Sequence, residues 1–254
     1  MKKLLIIFAT VSLIFPMGVF ARQTQLLQKN LLQDATAYWN FNQGNSTDYF
    51  GNNNGSDTNM SYGASYGMFG EGASFNGSSS YIHFGSSIGL SGAATFTVSA
   101  WIKMASGVAT TRQSIFGTDL GDYTDFMLVV GDTAHKASIE IIGGSPQTWY
   151  VATSNASIDD GLWHLVTATF VASGGTGNLK IYVDGVLSGS VTTGNGNVIS
   201  KDNEANIGAL GDGGSITHFF PGSIDDVAVF SGALTASEIS HLYTSRSLDS
   251  GISR

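Results

Sequence analysis

The chain has 254 residues, no cysteine, 33 glycines, only 3 prolines and a formal net charge of −8. The absence of cysteine excludes a disulfide framework, thiol catalysis and acylation as a lipoprotein. With 19 acidic against 11 basic residues the chain repels phosphate backbones, which excludes nucleic acid as its partner.

Lys2 and Lys3 precede an apolar run from Leu4 to Phe20, and Val19-Phe20-Ala21 ends it with small residues at the −3 and −1 positions. This pattern predicts a secretory signal peptide over 1–21, a localisation outside the cell or in the periplasm, and a mature chain that spans no membrane. Residues 22–35 carry Leu26, Leu27, Leu31 and Leu32 at roughly helical spacing and are taken as an N-terminal arm.

From residue 36 the signals are those of strands. Ala37-Tyr38-Trp39-Asn40-Phe41 is the first, followed by a polar loop from Asn42 to Asn59. Gly72–Phe75 leads to an Asn76-Gly77 turn, and Tyr81–Phe84 follows. Thr95–Lys103 alternates most cleanly, with Phe96, Val98, Ala100 and Ile102 on one face and Thr95, Thr97, Ser99 and Trp101 on the other. Ser114–Gly117, Phe126–Val130, Ser138–Ile142, Thr148–Thr153 and Gly161–Phe170 are read as successive strands. Leu179–Val183 and Val186–Val191 flank Asp184-Gly185, a favoured two-residue hairpin turn. A brief strand at Asn206–Gly208 precedes the closing stretch. There Ile224–Phe230 is β-branched and apolar apart from Asp225 and Asp226, and Thr235-x-x-Glu238 is a capping box that opens a helix. Short strands at this cadence with one late helix predict an all-β, two-sheet antiparallel sandwich over 36–244, with residues 245–254 as a C-terminal tail.

Four segments in order resemble the laminin-G-like jelly-roll domains of the concanavalin-A-like lectin/glucanase superfamily. They are Ala37–Phe41 with its Asp/Gly/Asn loop; Phe96–Ile102; Trp163–Val166 with Leu179–Gly185; and Phe220–Phe230 with Ala233-Leu234-Thr235 and Glu238-Ile239. The resemblance implies a jelly roll whose two chain ends lie on neighbouring strands. It also implies a calcium ion between the loop after the first strand and the Ile-Asp-Asp strand. Such a hard cation takes about 6–8 oxygen ligands. The loop offers Asp48, Asn53, Asn54 and carbonyls at Gly51 and Gly55, and the late strand offers Asp225 and Asp226. Strand alternation allows one of that pair to point at the ion, and Asp226, sharing a face with Ile224 and Ala228, is the expected ligand. The competing reading makes Asp225 and Asp226 solvent-facing carboxylates on an edge strand.

Related folds include glycoside hydrolases with Glu-x-Asp-x-Glu or Glu-x-Asp-x-x-Glu on one strand, which supplies the paired carboxyl groups of double displacement. Here the four glutamates are Glu71, Glu140, Glu204 and Glu238, and none completes that signature. The five histidines lack metal-ligand spacing. His164, between Trp163 and Leu165, is expected to be a packed structural residue. For glycan binding the candidates are Trp149 and Tyr150, of which alternation sends one inward, Tyr123 with Asp122 and Asp125, and His218-Phe219. Trp39, Trp101 and Trp163 are expected in the core, leaving Trp149 as the exposed aromatic. The expected function is therefore a secreted, calcium-stabilised binding or adhesion module, without catalysis, for polysaccharide or glycoprotein. A hydrolase or lyase with an unrecognised carboxylate site and a structural matrix protein are the alternatives.

Overall fold

The structure is a computed structural model that describes residues 31–119, 126–143, 148–172, 178–193, 204–212, 215–245 and 248. The expected signal segment lies outside the described residues. Residues 31–34 are helical and run directly into β1 (Ala35–Trp39). The end of the expected arm is thus docked onto the domain, with Leu31 and Leu32 buried.

Two antiparallel sheets face each other. The eight-stranded sheet has the order β13 (Val186–Val191), β12 (Leu179–Val183), β11 (Trp163–Val171), β6 (Thr95–Met104), β17 (Pro221–Phe230), β4 (Gly72–Asn76) and β3 (Ser61–Gly63), with β1 also on β17. The seven-stranded sheet has the order β10 (Thr148–Ser157), β9 (Lys136–Gly143), β8 (Phe126–Val130), β7 (Gln113–Asp119), β14 (Glu204–Ile207), β5 (Tyr81–Phe84) and β2 (Ser56–Thr58). A small ladder joins β15 (Leu210–Asp212) to β16 (Ser215–Thr217). The expected jelly-roll sandwich is the fold observed.

Alternation fills the space between the sheets as the sequence requires. Phe96, Val98, Ala100 and Ile102 of β6 enter the main core with Trp39, Phe116, Phe126, Phe170 and Phe220. Burying such side chains contributes about 1.5–3 kcal/mol each relative to exposure. Trp101, on the other face, joins a second cluster with Tyr38, Leu165, Leu242 and Leu248 beneath the C-terminal helix α1 (Ala236–Thr244). Leu248, in the expected tail, is therefore packed. Trp163 is half-buried against the same cluster.

Thr235 and Glu238 form both bonds of the capping box, Glu238 N–H to Thr235 Oγ1 at 3.3 Å and Thr235 N–H to Glu238 Oε2 at 2.7 Å. Asp184 and Gly185 both have positive φ, 52° and 77°, as the primed hairpin turn demands. One side of the sandwich is closed by the two outermost strands, β10 and β13. Asn155 N–H donates to Ser188 Oγ at 3.0 Å. A Cβ on Gly189 would stand 2.1 Å from the Thr153 carbonyl, so only glycine permits this approach.

Candidate functional site

The residues expected to hold calcium are assembled differently. Asp48 is buried, and each of its oxygens faces N–H groups: Oδ1 accepts from Tyr38 N–H at 3.0 Å, and Oδ2 from Asn52 and Asn53 N–H at 3.1 Å and Asn53 Nδ2 at 3.4 Å. Asn54 Oδ1 accepts from Asp48 N–H at 2.9 Å, and the Asn53 carbonyl accepts from Trp39 Nε1 at 2.9 Å. Gly55 is needed for close packing, since a Cβ there would lie 2.3 Å from Ile82 Cγ2. Asp48 is thus the organiser of its loop, and its lone pairs point at donors where a cation would need them free.

On the late strand both alternatives from the sequence need correction. β17 is a central strand, flanked by β6 on one side and by β4 and β1 on the other, so its carboxylates are not edge charges. A β-bulge between Asp225 and Ala228 inserts a residue, with Asp226 at φ 47°. Ile224, Val227 and Val229 consequently face the main core while Ala228 faces the second cluster, so Ile224 and Ala228 do not share a face. Asp225 Oδ2 accepts the Met68 and Phe69 amides at 2.8 and 3.0 Å, and its Oδ1 accepts Asp226 N–H at 2.8 Å. Asp226 Oδ1 accepts from the Tyr38 hydroxyl. The loop and the strand are therefore joined through Tyr38, whose amide holds Asp48 and whose hydroxyl holds Asp226. Loop and strand thus meet at Tyr38 by direct hydrogen bonds. Among the described residues no cluster of three His, Cys, Asp or Glu side chains has metal-holding geometry.

The expected glycan contacts separate as well. Trp149 is 46% exposed on the outermost strand β10, whereas Tyr150 turns inward against the main core. Tyr123, Asp122 and Asp125 lie outside the described residues. His164 lies between two carboxylates, with Nδ1 2.8 Å from Asp184 Oδ2 and Nε2 3.1 Å from Asp160 Oδ1. The Asp184 hydrogen bond is the main reason its pKa is raised.

His218 lies in a groove of about 390 Å³, lined also by Gly77, Thr111, Arg112, Gln113, Thr217 and Phe219. That volume falls within the range of small-ligand sites. The groove is rigidly held. His218 has a left-handed backbone, φ 54°, its carbonyl accepts Ser114 N–H at 2.8 Å, and its Nδ1 lies 2.7 Å from Thr217 Oγ1. The next residues fix the register: Phe220 is buried, its N–H donates to the Gly208 carbonyl at 2.9 Å and its carbonyl accepts Gly77 N–H at 3.1 Å. Phe219 stays half-exposed beside Tyr81, with ring centroids 6.4 Å apart.

Arg112 forms the other wall. Its Nη2 donates to Asp132 Oδ1 at 2.6 Å and to Glu140 Oε2 at 3.1 Å. Glu140 stands on β9 in a cross-strand row, Val151, Glu140, Met127, Gly117, Asn206 and His83, on the outer face of the seven-stranded sheet. Leu210 of β15 packs on Met127 and Val129 and lies over Gly117, where a Cβ would come within 2.5 Å of its Cδ1. Glu140 is only 2% exposed and its Oε1 meets no hydrogen-bond partner among the described residues. Burial pushes its pKa up to about 7; Arg112 opposes this and Asp132 adds to it. Sequence reasoning missed Arg112, whose partners lie 20 and 28 residues downstream. Its signal was rarity, for it is the only arginine among the described residues.

A family model for the concanavalin A-like lectin/glucanases superfamily matches residues 75–240. The chain belongs to this superfamily. No curated protein sequence matches it. Among solved structures it is similar to domain 4 of AbnA, an extracellular GH43 arabinanase from Geobacillus stearothermophilus, in complex with arabinotriose. The TM-score is 0.66 with 25% identity, over 83% of this chain and 98% of that domain. It shares its fold with the botulinum neurotoxin serotype G binding domain (TM-score 0.62, 17% identity, 82% of this chain and 50% of that one). The fold also recurs in a heptameric SAP-like pentraxin from Limulus polyphemus (TM-score 0.54, 18% identity, 74% and 82%).

Asp48→Ala strands several N–H groups and should destabilise the protein by about 1.5–3 kcal/mol. The wild-type Tm should be equal in calcium and in chelator. A calcium-dependent Tm that Asp48→Ala abolishes would reinstate the shared ion. Glu140 binds its proton more tightly folded than unfolded, with a pKa near 7 against an ordinary value of 4.5. Its contribution to stability is therefore full below about 4.5 and declines as pH rises to about 7, by at most about 3 kcal/mol. Urea unfolding across this range should show the decline in wild type and a flatter profile in Glu140→Gln; identical profiles would contradict the assignment.

Proposed function

We propose that this protein is an exported carbohydrate-binding module without catalytic activity, and that its ligand occupies the groove between Arg112 and Phe219. The observation that carries the reading is the likeness to an arabinotriose-bound domain at 25% identity over nearly that whole domain. The composition of the groove supports it. Phe219 offers an aromatic face to sugar C–H groups, while Thr217, Gln113 and His218 bring hydroxyl, amide and imidazole groups.

Two features favour binding over hydrolysis. Glu140 is enclosed beside Arg112 with Val151 and Met127 as its strand neighbours, and the one carboxylate near it, Asp132, is held with it on the same guanidinium, which commits both to an ion pair rather than to paired acid–nucleophile chemistry. Export rests on the charged, apolar and small-residue pattern of residues 1–21. Among the described residues no helix is long and apolar enough to cross a membrane.

Calorimetric titration with arabino-oligosaccharides and a broader panel of glycans tests the reading. Phe219→Ala should weaken binding by about tenfold or more, corresponding to at least about 1.4 kcal/mol, while Trp149→Ala leaves it unchanged. Loss of binding in Trp149→Ala with none in Phe219→Ala would move the site to β10. Release of new reducing ends from any bound glycan would replace the binding-only reading with an enzymatic one.

A further inference from the structure

We propose that the Arg112–Phe219 groove selects uncharged glycans and rejects polyuronates and other polyanionic chains, because its arginine is already neutralised from within the protein. The inference rests on the carbohydrate-binding reading and adds the charge class of the ligand.

Recognition of a sugar carboxylate or sulfate by arginine uses a free guanidinium fork that can present two parallel N–H donors. Arg112 is not free in this sense. Its Nη2 is shared between Asp132 Oδ1 and Glu140 Oε2, and its Nε, which meets no acceptor among the described residues, is buried, so no fork that includes either atom is open to a ligand. Glu140 is nearly fully enclosed, so water screens its charge poorly, whereas Asp132 is partly exposed. The three side chains together are neutral when Glu140 holds its proton and singly negative when it does not. Gly77, Thr111, Gln113, Thr217 and Phe219 bring no charge, and the His218 ring nitrogen is engaged with Thr217. The whole chain adds a repulsive background of −8. What the groove offers is hydroxyl, amide and aromatic surface, which suits the hydroxyls and C–H faces of a neutral sugar.

The decisive comparison titrates the full-length mature protein with a neutral arabino-oligosaccharide and with an oligogalacturonate of equal length, at low and high salt. The neutral ligand should bind with an affinity that salt barely changes, and the oligogalacturonate about tenfold or more weaker. Asp132→Asn, at a partly exposed position, should release Arg112, strengthening oligogalacturonate binding by about tenfold and making it salt-sensitive. Wild-type protein that binds oligogalacturonate as tightly as the neutral ligand would overturn the inference and leave the carbohydrate reading standing. So would Asp132→Asn that keeps neutral-ligand affinity and gains none for oligogalacturonate. Absence of binding to every glycan tested would remove the carbohydrate reading and this inference with it.

Discussion

The fold depends on how one strand changes partners. Along its first half β17 pairs with β4, along its second half with β1, and β6 lies on its other side throughout. The change falls at the Asp225–Asp226 bulge, where pairing is interrupted and amides are left to be satisfied. Asp225 takes the Met68 and Phe69 amides, and Asp226 takes the Tyr38 hydroxyl. Two buried carboxylates thus do locally what ladder bonds do elsewhere. The same residues tie the strand to the Asp48 loop through Tyr38, so the start and end of the domain are joined by hydrogen bonds.

The groove inherits its rigidity from that strand. Phe220 is locked into the core immediately before β17 begins, which leaves Phe219 and His218 on the chain just outside it. Backbone bonds to Ser114, Gly208 and Gly77 then fix this corner against β7, the β14–β15 connection and the turn after β4. A binding surface held this way loses little conformational freedom when a ligand arrives. The wall opposite is set by electrostatics: a buried carboxylate is stabilised by a cationic neighbour, and Arg112 serves Glu140 and Asp132 together. An arginine recruited for that purpose is a poor anion receptor.

Much of the fold was legible because its signals are local. The period-two pattern of Thr95–Lys103, the Asp184-Gly185 turn and the Thr235–Glu238 capping box each lie within one element, and each is observed. The three-residue strands β2, β3, β15 and β16 were not legible, since Ser, Gly and Asp in such short runs carry no periodicity. Alternation failed at Asp225–Asp226 because a bulge adds one residue to the count. Of the candidate site, the choice of Trp149 over Tyr150 as the exposed aromatic and the selection of His218 were within reach. The role of Arg112 was not, because its partners meet it only after β8 and β9 have folded back.

The most direct measurement of where this surface works is a crystal structure of the mature protein with a bound neutral arabino-oligosaccharide. Sugar density is expected against Phe219 and His218, with Arg112 still held by Asp132 and Glu140. Density over Trp149 on β10 with the groove empty, or a guanidinium turned away from its carboxylates toward the sugar, would contradict this expectation.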